Sequence, residues 1–371
     1  MSTKIEFHVI QSFPPANLNR DDTNMPKDCE FGGVRRARIS SQCIKRSIRL
    51  HPDFEAYTQV PPADRTRWMS KSLAGDLIRA GKVEDEAGAI ADGFTEELLG
   101  KMDKNNEHRS SVLFYISEEE RQMILKGLLA DWDSAKAGKF DTLVNQYKKQ
   151  FADRNSAPDI ALFGRMLADD PKLNLEASCQ VAHAISTHGI NMEMDFFTAV
   201  DDLQTDTDLG AGMMGVTGFN SATFYRYAAI DWGQLLLNLD HDLELAKMTV
   251  VGFTSSLAKA IPTGKQNSFA ALTPPSLVLV VVRVDGQTWS LANAFEKPVS
   301  RTHDKGVVYE SIKALEHHWS QLNAVYGNPA HPAKPFLILT IDDYELGDLR
   351  EAKVASLVDL IAAVQQALPE E

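Results

Sequence analysis

From Leu277 to Val282 the chain reads LVLVVV, the longest purely aliphatic run in the sequence. A bilayer-spanning helix needs roughly 20 consecutive apolar residues, so this run is far too short to cross a membrane. Extended to Val284, it reads instead as a strongly apolar strand. The chain can supply a core for it. With 371 residues, 44% hydrophobic and 24% charged, it has the composition of a well-folded soluble protein, which excludes disorder, collagen and disulfide-stapled miniature folds. At ~150 residues per domain, the length fits two units, or one core with large insertions. The N-terminal MSTKIEFHVIQSF alternates apolar and polar residues and lacks the continuous apolar stretch of a signal peptide. Cys29, Cys43 and Cys179 are odd in number, widely spaced and form no CxxC, so neither a disulfide framework nor a zinc site is expected. The cytoplasm is the expected address.

The formal net charge of −13 hides a local reversal. Between Val34 and Arg49 stand six basic residues (Arg35, Arg36, Arg38, Lys45, Arg46 and Arg49) and no acidic one, so the remainder of the chain carries −19. A short basic run is most often a solvated face, but its geometry argues for more. Ser40 and Ser41 are good N-caps for SQCIKRSIRL, and Ile44 and Ile48 lie four apart, which predicts a short amphipathic helix with an isoleucine stripe inside. At ~100° per residue, Gln42, Lys45, Arg46 and Arg49 share an arc well away from that stripe. Free N–H groups at the helix start and the serine hydroxyls complete a seat for a phosphate backbone.

Residues 4–11 alternate, with Ile5, Phe7 and Val9 on one face, and predict a half-buried strand. The stretch from Ser12 to Arg36 is rich in Pro, Asn, Asp and Gly and is expected to be a long loop, where binding residues concentrate. Residues from about 64 to 152 read as a helical insertion. Extended character is expected at 159–167, 180–188 and 222–230, a helix over 231 to about 260, and a strand at 335–341. Late helices are marked by Val308, Ile312, Leu315, Trp319 and Leu322, and by Val354, Leu357, Leu360, Ile361 and Val364. Trp319 is expected in the core and His317 with His318 in solvent. The order is that of an α+β, ferredoxin-like βαββαβ core interrupted twice, a fold whose RNA-recognition version carries a single strand on one sheet face.

The blocks FHVIQSFPPANLNRDDTNMPKDCEFGGVRRARISSQCIKRSIR, DIALFGRM, VAHAISTHGINMEMDFFTAVDDL, FYRYA, GKQNSFAAL and SLANAFEKPV, between about residues 7 and 300, closely resemble the CasC family. Its members are backbone subunits of the type I-E CRISPR Cascade, within the RAMP superfamily. The resemblance implies a right-hand layout. The RRM-like palm would take residues 1–55, 156–189 and 223–371, the helical fingers 56–155, and an extended β-hairpin thumb 190–222. It implies no catalysis and no cofactor. The partners implied are CRISPR guide RNA (crRNA), the DNA strand paired to it, further copies of the chain, and the subunits CasA, CasB, CasD and CasE, with no membrane. Carried over by position, Asn19, Arg20, Lys27, Ser40, Gln42, Lys45, Arg46 and Arg49 contact guide phosphates and sugars. Arg165 and Met166 sit nearby, and Lys265 and Gln266 add polar contacts. Phe196, Phe197, Val200 and Met213 or Met214 supply apolar wedges in the thumb, which kinks the guide so that one nucleotide flips out at regular intervals.

Other readings compete at several places. Asp21, Asp22 and Asp28 are carboxylates of the kind that hold Mg²⁺ for RNA cleavage, as in related CRISPR backbone families. The simpler reading is that they pair with Arg20, Arg35 or Arg36, or cap turns; the resemblance to a non-cleaving family favours it. Gly210, Gly212 and Gly215 satisfy GxGxxG but follow a polar run rather than a strand. Asp206 and Asp208 lack the register of a calcium loop. His183 and His188, five apart on an alternating strand, face opposite sides and share no metal. Phe196 and Phe197, being adjacent on a strand, are expected to place at most one ring in a core.

Overall fold

The computed structural model describes residues 3–152, 154, 156–167, 170–199, 213–284 and 287–370. The chain folds into two compact units, one comprising Met1–Phe54, Val181–Ala229 and Val250–Pro369, the other Glu55–Gln180 and Ile230–Thr249 with the last two residues. In chain order, the first elements are β1 (Lys4–Ala16), β2 (Asp28–Phe31), β3 (Val34–Ile39), α1 (Ser41–Arg49), α2 (Pro52–Thr58), β4 (Asp64–Thr66), α3 (Met69–Arg79), α4 (Glu84–Leu99), β5 (Phe114–Ile116), α5 (Glu118–Ala130), α6 (Trp132–Lys136), α7 (Asp141–Phe151) and α8 (Pro158–Phe163). There follow β6 (Cys179–Val181), β7 (Ala184–Ser186), β8 (Glu193–Ala199), β9 (Met213–Asp231), α9 (Trp232–Asn238), α10 (Leu243–Lys259), α11 (Gln266–Phe269), β10 (Leu277–Arg283), α12 (Val307–Tyr326), β11 (Lys334–Leu339) and α13 (Leu357–Ala367).

The first unit is built on a sheet of order β11-β10-β1-β9-β7-β3-β2. Its inner strands β10-β1-β9-β7, with α1 after β1 and α10 after β9, reproduce the 4-1-3-2 order of a ferredoxin-like core. β1 and β10 pair antiparallel from Lys4 opposite Arg283 to Ile10 opposite Leu277. Every residue of β10 is buried, which explains its unbroken aliphatic sequence: a strand covered on both faces has no polar side to alternate with. Leu277, Leu279 and Val281 join a cluster with Ile312, Leu315 and Trp319 of α12, while Phe7 of β1 meets Phe253 edge-on at 4.9 Å. Each such side chain contributes ~1.5–3 kcal/mol on burial.

The second unit has its own core, in which Leu73 and Leu77 of α3, Phe94 and Leu98 of α4, Ile124 and Leu128 of α5 and Tyr147 of α7 are buried together. Ser117 and Glu120 form a reciprocal capping box that starts α5. β4 and β5 form a separate two-stranded sheet. No helix among the described residues is long and apolar enough to cross a membrane.

Four expectations change. The loop assigned to Ser12–Arg36 contains the end of β1, all of β2 and the start of β3; β2 and β3 form a hairpin turned by Gly32 and Gly33, both at positive φ, as a two-residue turn requires. The segment at 159–167 is largely helical: Pro158 opens α8 at a position where its missing N–H costs nothing, and Gly164 (φ 74°) ends it. The apolar run from Ile160 to Phe163 is too short to tell strand from helix by itself. The expected helix over 231–260 divides into α9 and α10, with Asp240 and His241 between them in the left-handed region. His183 and His188 flank the short β7 rather than lying on a common strand.

Candidate nucleic-acid interface

α1 forms where the pattern places it. Ser40 is its N-cap, its hydroxyl accepting from the Cys43 amide at 3.3 Å. Ile44 and Ile48 are buried, Gln42 and Arg46 are exposed, and Lys45 and Arg49 are half-buried. Arg46 and Arg49 stand in the last turn, where the helix dipole favours cations. Ser40 itself is buried, and its amide donates to Asn19 Oδ1 at 2.8 Å. The start of the helix is thereby tied to the loop after β1.

That loop is ordered by its own polar groups. The Lys27 amide donates to the Asn19 carbonyl and the Arg38 amide to the Lys27 carbonyl, each at 2.9 Å. Arg20 Nη1 donates to Asn24 Oδ1 at 2.7 Å. Asp21 caps the turn: its Oδ1 accepts from the Thr23 hydroxyl at 2.8 Å and from the amides of Thr23 and Met25 at 2.9 and 3.0 Å. These bonds, the Thr23 hydroxyl first, hold its carboxyl below the usual carboxylate range. Asp28 pairs with Arg35. Among the described residues, no group of three or more His, Cys, Asp or Glu is arranged to hold a metal.

Beside this loop opens a pocket of about 450 Å³ whose lining includes Asn19, Arg20, Asn24, Arg46, Thr263 and Gly264. Gly264 is required there, because a Cβ would come within 2.4 Å of the Leu18 carbonyl oxygen. Lys265 and Gln266 follow it directly in the chain. Lys265 sits in the left-handed region (φ 53°), a conformation that costs a non-glycine residue ~1–2 kcal/mol. Gln266 Nε2 donates to the Pro262 carbonyl at 3.0 Å, while its Oε1 has no hydrogen-bond partner.

One contact on this face had no signal in the spacing, its partners Arg38 and His183 being 145 residues apart. Arg38 Nη1 lies 3.1 Å from His183 Nδ1, and the Ser41 amide lies 3.3 Å from the same nitrogen. Arginine and an amide only donate, so Nδ1 accepts from both and the proton sits on Nε2. Burial, then the charges of Arg38 and Lys27, hold His183 below the usual histidine range. Arg36, by contrast, turns away from solvent. It is fully buried and donates to the carbonyls of Phe31, Ser186, Phe295 and Glu296.

The FGRM pair separates. Arg165 lies in the second unit, 4% exposed, with its guanidinium committed to Glu120 and to the carbonyls of Tyr115, Phe151 and Leu173. This corrects its assignment as a guide contact, since every nitrogen of the group is engaged inside the protein. Met166, next to it, is 86% exposed.

β8 and the first part of β9 form an antiparallel hairpin, in register from Glu193 opposite Phe219 to Ala199 opposite Met213. All seven residues of β8 are exposed, so neither Phe196 (63%) nor Phe197 (39%) enters a core. This agrees with the expectation that at most one would do so, and neither face of β8 is covered. Directly opposite residues share a face, which puts Met194, Phe196, Val216 and Met214 on one side and Phe197 with Met213 on the other. Met194 and Val216 are thus exposed apolar neighbours of the residues expected as wedges, visible only once register is known. Phe197 lies over Gly215, where a Cβ would meet the ring at 2.4 Å. The hairpin base is held by Asn17 Nδ2, donating to the Gly218 carbonyl at 2.9 Å, and by Phe219 against Phe269, ring centres 5.8 Å apart. Val200, Asp206, Asp208, Gly210 and Gly212 lie outside the described residues.

A family model described as CT1975-like protein matches residues 5–364. A chain of a solved structure titled "CRISPR RNA-guided surveillance complex, pre-nicking" is 31% identical, with 98% of this chain and 99% of that chain covered and a TM-score of 0.85. Another, titled "CRISPR RNA-guided surveillance complex", is 26% identical over 98% and 99% of the two chains, with a TM-score of 0.63. A search of curated proteins returns no match. A match over nearly the whole length, together with the ferredoxin-like sheet and its long hairpin, means that the chain belongs to the CT1975-like protein family.

Proposed function

We propose that this chain is a crRNA-binding backbone subunit of a CRISPR surveillance complex of the type I-E Cascade kind, a CasC-like protein. Several copies line up along one guide beside CasA, CasB, CasD and CasE in the cytoplasm, leaving the bases to pair with a DNA strand. The observation that carries this reading is the gathering of Arg20, Lys27, Arg38, Arg46 and Lys265 with α1 on the first unit. These groups suit phosphates and sugars, whose contacts position a strand without reading its sequence. A subunit that must accept any guide needs that indifference.

The hairpin supplies the second element. Apolar side chains on both of its faces are suited to separate neighbouring bases, at a cost of a few kcal/mol per unstacked step that backbone contacts offset. Binding rather than cleavage is the proposed activity, because the Asp21 carboxylate caps its turn and the Asp28 carboxylate is paired. Co-expression with the partner subunits and a CRISPR array, followed by sequencing of the RNA that co-purifies, tests the assignment. One length class of guides is expected. Nucleic-acid-free complexes, or Mg²⁺-dependent RNA products lost on Asp22→Ala, would refute it.

A further inference from the structure

The second unit carries an exposed indole surrounded by cations. Trp68, 43% exposed, stands just before α3, its amide donating to the Thr66 hydroxyl at 2.8 Å. Lys71 Nζ lies 5.6 Å and Arg109 Cζ 5.5 Å from the ring centroid. The loop bearing Arg109 is fixed against the strand end: the Ser110 amide and hydroxyl both donate to the Arg67 carbonyl, at 2.8 and 3.1 Å. Residues 64–71 and 101–111 together hold six Lys or Arg against three carboxylates, in a chain of net charge −13. One of those carboxylates, Asp103, is already paired with Arg109 at 3.1 Å.

We propose that Trp68, with Arg65, Arg67, Lys71 and Arg109, is a docking platform for an unpaired nucleic-acid strand, sharing no residue with the α1 face. The chemistry selects that occupant. An exposed indole offers a flat surface on which any base stacks. Lys71 and Arg109, held over the ring, meet phosphates with less side-chain ordering left to lose on binding. Arg109 already has Asp103, but an apolar protein surface would leave Arg65, Arg67 and Lys71 unanswered, and an acidic segment without flat rings would leave the indole unused. The platform lets a copy of this chain hold a strand that is not the one seated on α1.

The test uses the full chain with its retained RNA and a fluorescent oligothymidylate of about twelve nucleotides, within the range of single-strand site sizes. Trp68→Ala is expected to weaken anisotropy-detected binding about tenfold, and Trp68→Phe, which keeps a stacking ring, to stay within about threefold of the wild type. Arg67→Glu with Lys71→Glu should abolish binding and flatten its salt dependence. Lys45→Glu with Arg49→Glu should leave it intact, which separates failure of this platform from failure of the α1 assignment. Unchanged oligothymidylate binding by a folded Trp68→Ala variant overturns the proposal. So does full competition by polyglutamate with no stacking dependence, which would assign the patch to an acidic protein partner.

Discussion

The α1 face can be tested by reversing charge on it. The structure places seven cations around this face: Arg20, Lys27, Arg38, Lys45, Arg46, Arg49 and Lys265. If each neutralises one phosphate of a single strand, log affinity falls against log salt with a slope of about −5, a loss of about a thousandfold between roughly 50 and 200 mM. Lys45→Glu with Arg49→Glu removes two of these charges and adds two opposed ones, so about three remain effective. The slope then falls to about −2, and the same salt step costs about fifteenfold. Ile44 and Ile48 are untouched, so helix content and the melting midpoint should hold. Filter binding of a guide-length RNA over a salt series reads the slopes, and circular dichroism checks the fold. A folded double variant with the wild-type slope would show that phosphates do not sit on α1.

Three further outcomes follow from buried or shared groups. His183→Ala removes the acceptor used by Arg38 and Ser41 and should weaken RNA binding about fivefold, whereas His183→Asn, which returns an acceptor near Nδ1, should recover most of it in the same assay. Burial first, then Arg283, lowers His8 to about 3. Its contribution to stability is therefore complete above the unfolded value of 6.5 and is lost as pH falls toward 3, about 2 kcal/mol by pH 5; urea denaturation should show that slope disappear in His8→Gln. Arg165→Ala strands Glu120 in the second unit and should cost about 3–5 kcal/mol in the same denaturation experiment, with RNA binding per folded molecule unchanged.

What could be read from the sequence was what local periodicity records. The i, i+4 isoleucines and the Ser40 cap gave α1 with its outward cations, and LVLVVV gave a strand with no polar side. Contacts remote in sequence left no such mark. Arg165 sits in a motif that resembles a guide-binding block, yet its partner Glu120 is 45 residues away and turns it into a core residue. His183 reaches Arg38 across 145 residues. The full apolar stripe of the hairpin needed the cross-strand register, because Met194 and Val216 acquire meaning only from the residues opposite them. α8 differs for another reason: the short apolar run from Ile160 to Phe163 fits either period, and Pro158 with Gly164 decides the matter.

The hairpin arm and the middle of the first unit's sheet are one piece of backbone. β9 begins among exposed residues at Met213 and passes into buried ones by Ala222 without a break in its strand. Tyr225, on that same strand, accepts from the Leu291 amide and lies 2.9 Å from His8 on β1. The arm is thus a cantilever clamped in the core. A load at its outer end is transmitted into the sheet as torque, and a copy whose clamp is loosened at His8 or Tyr225 should hold the arm less stiffly.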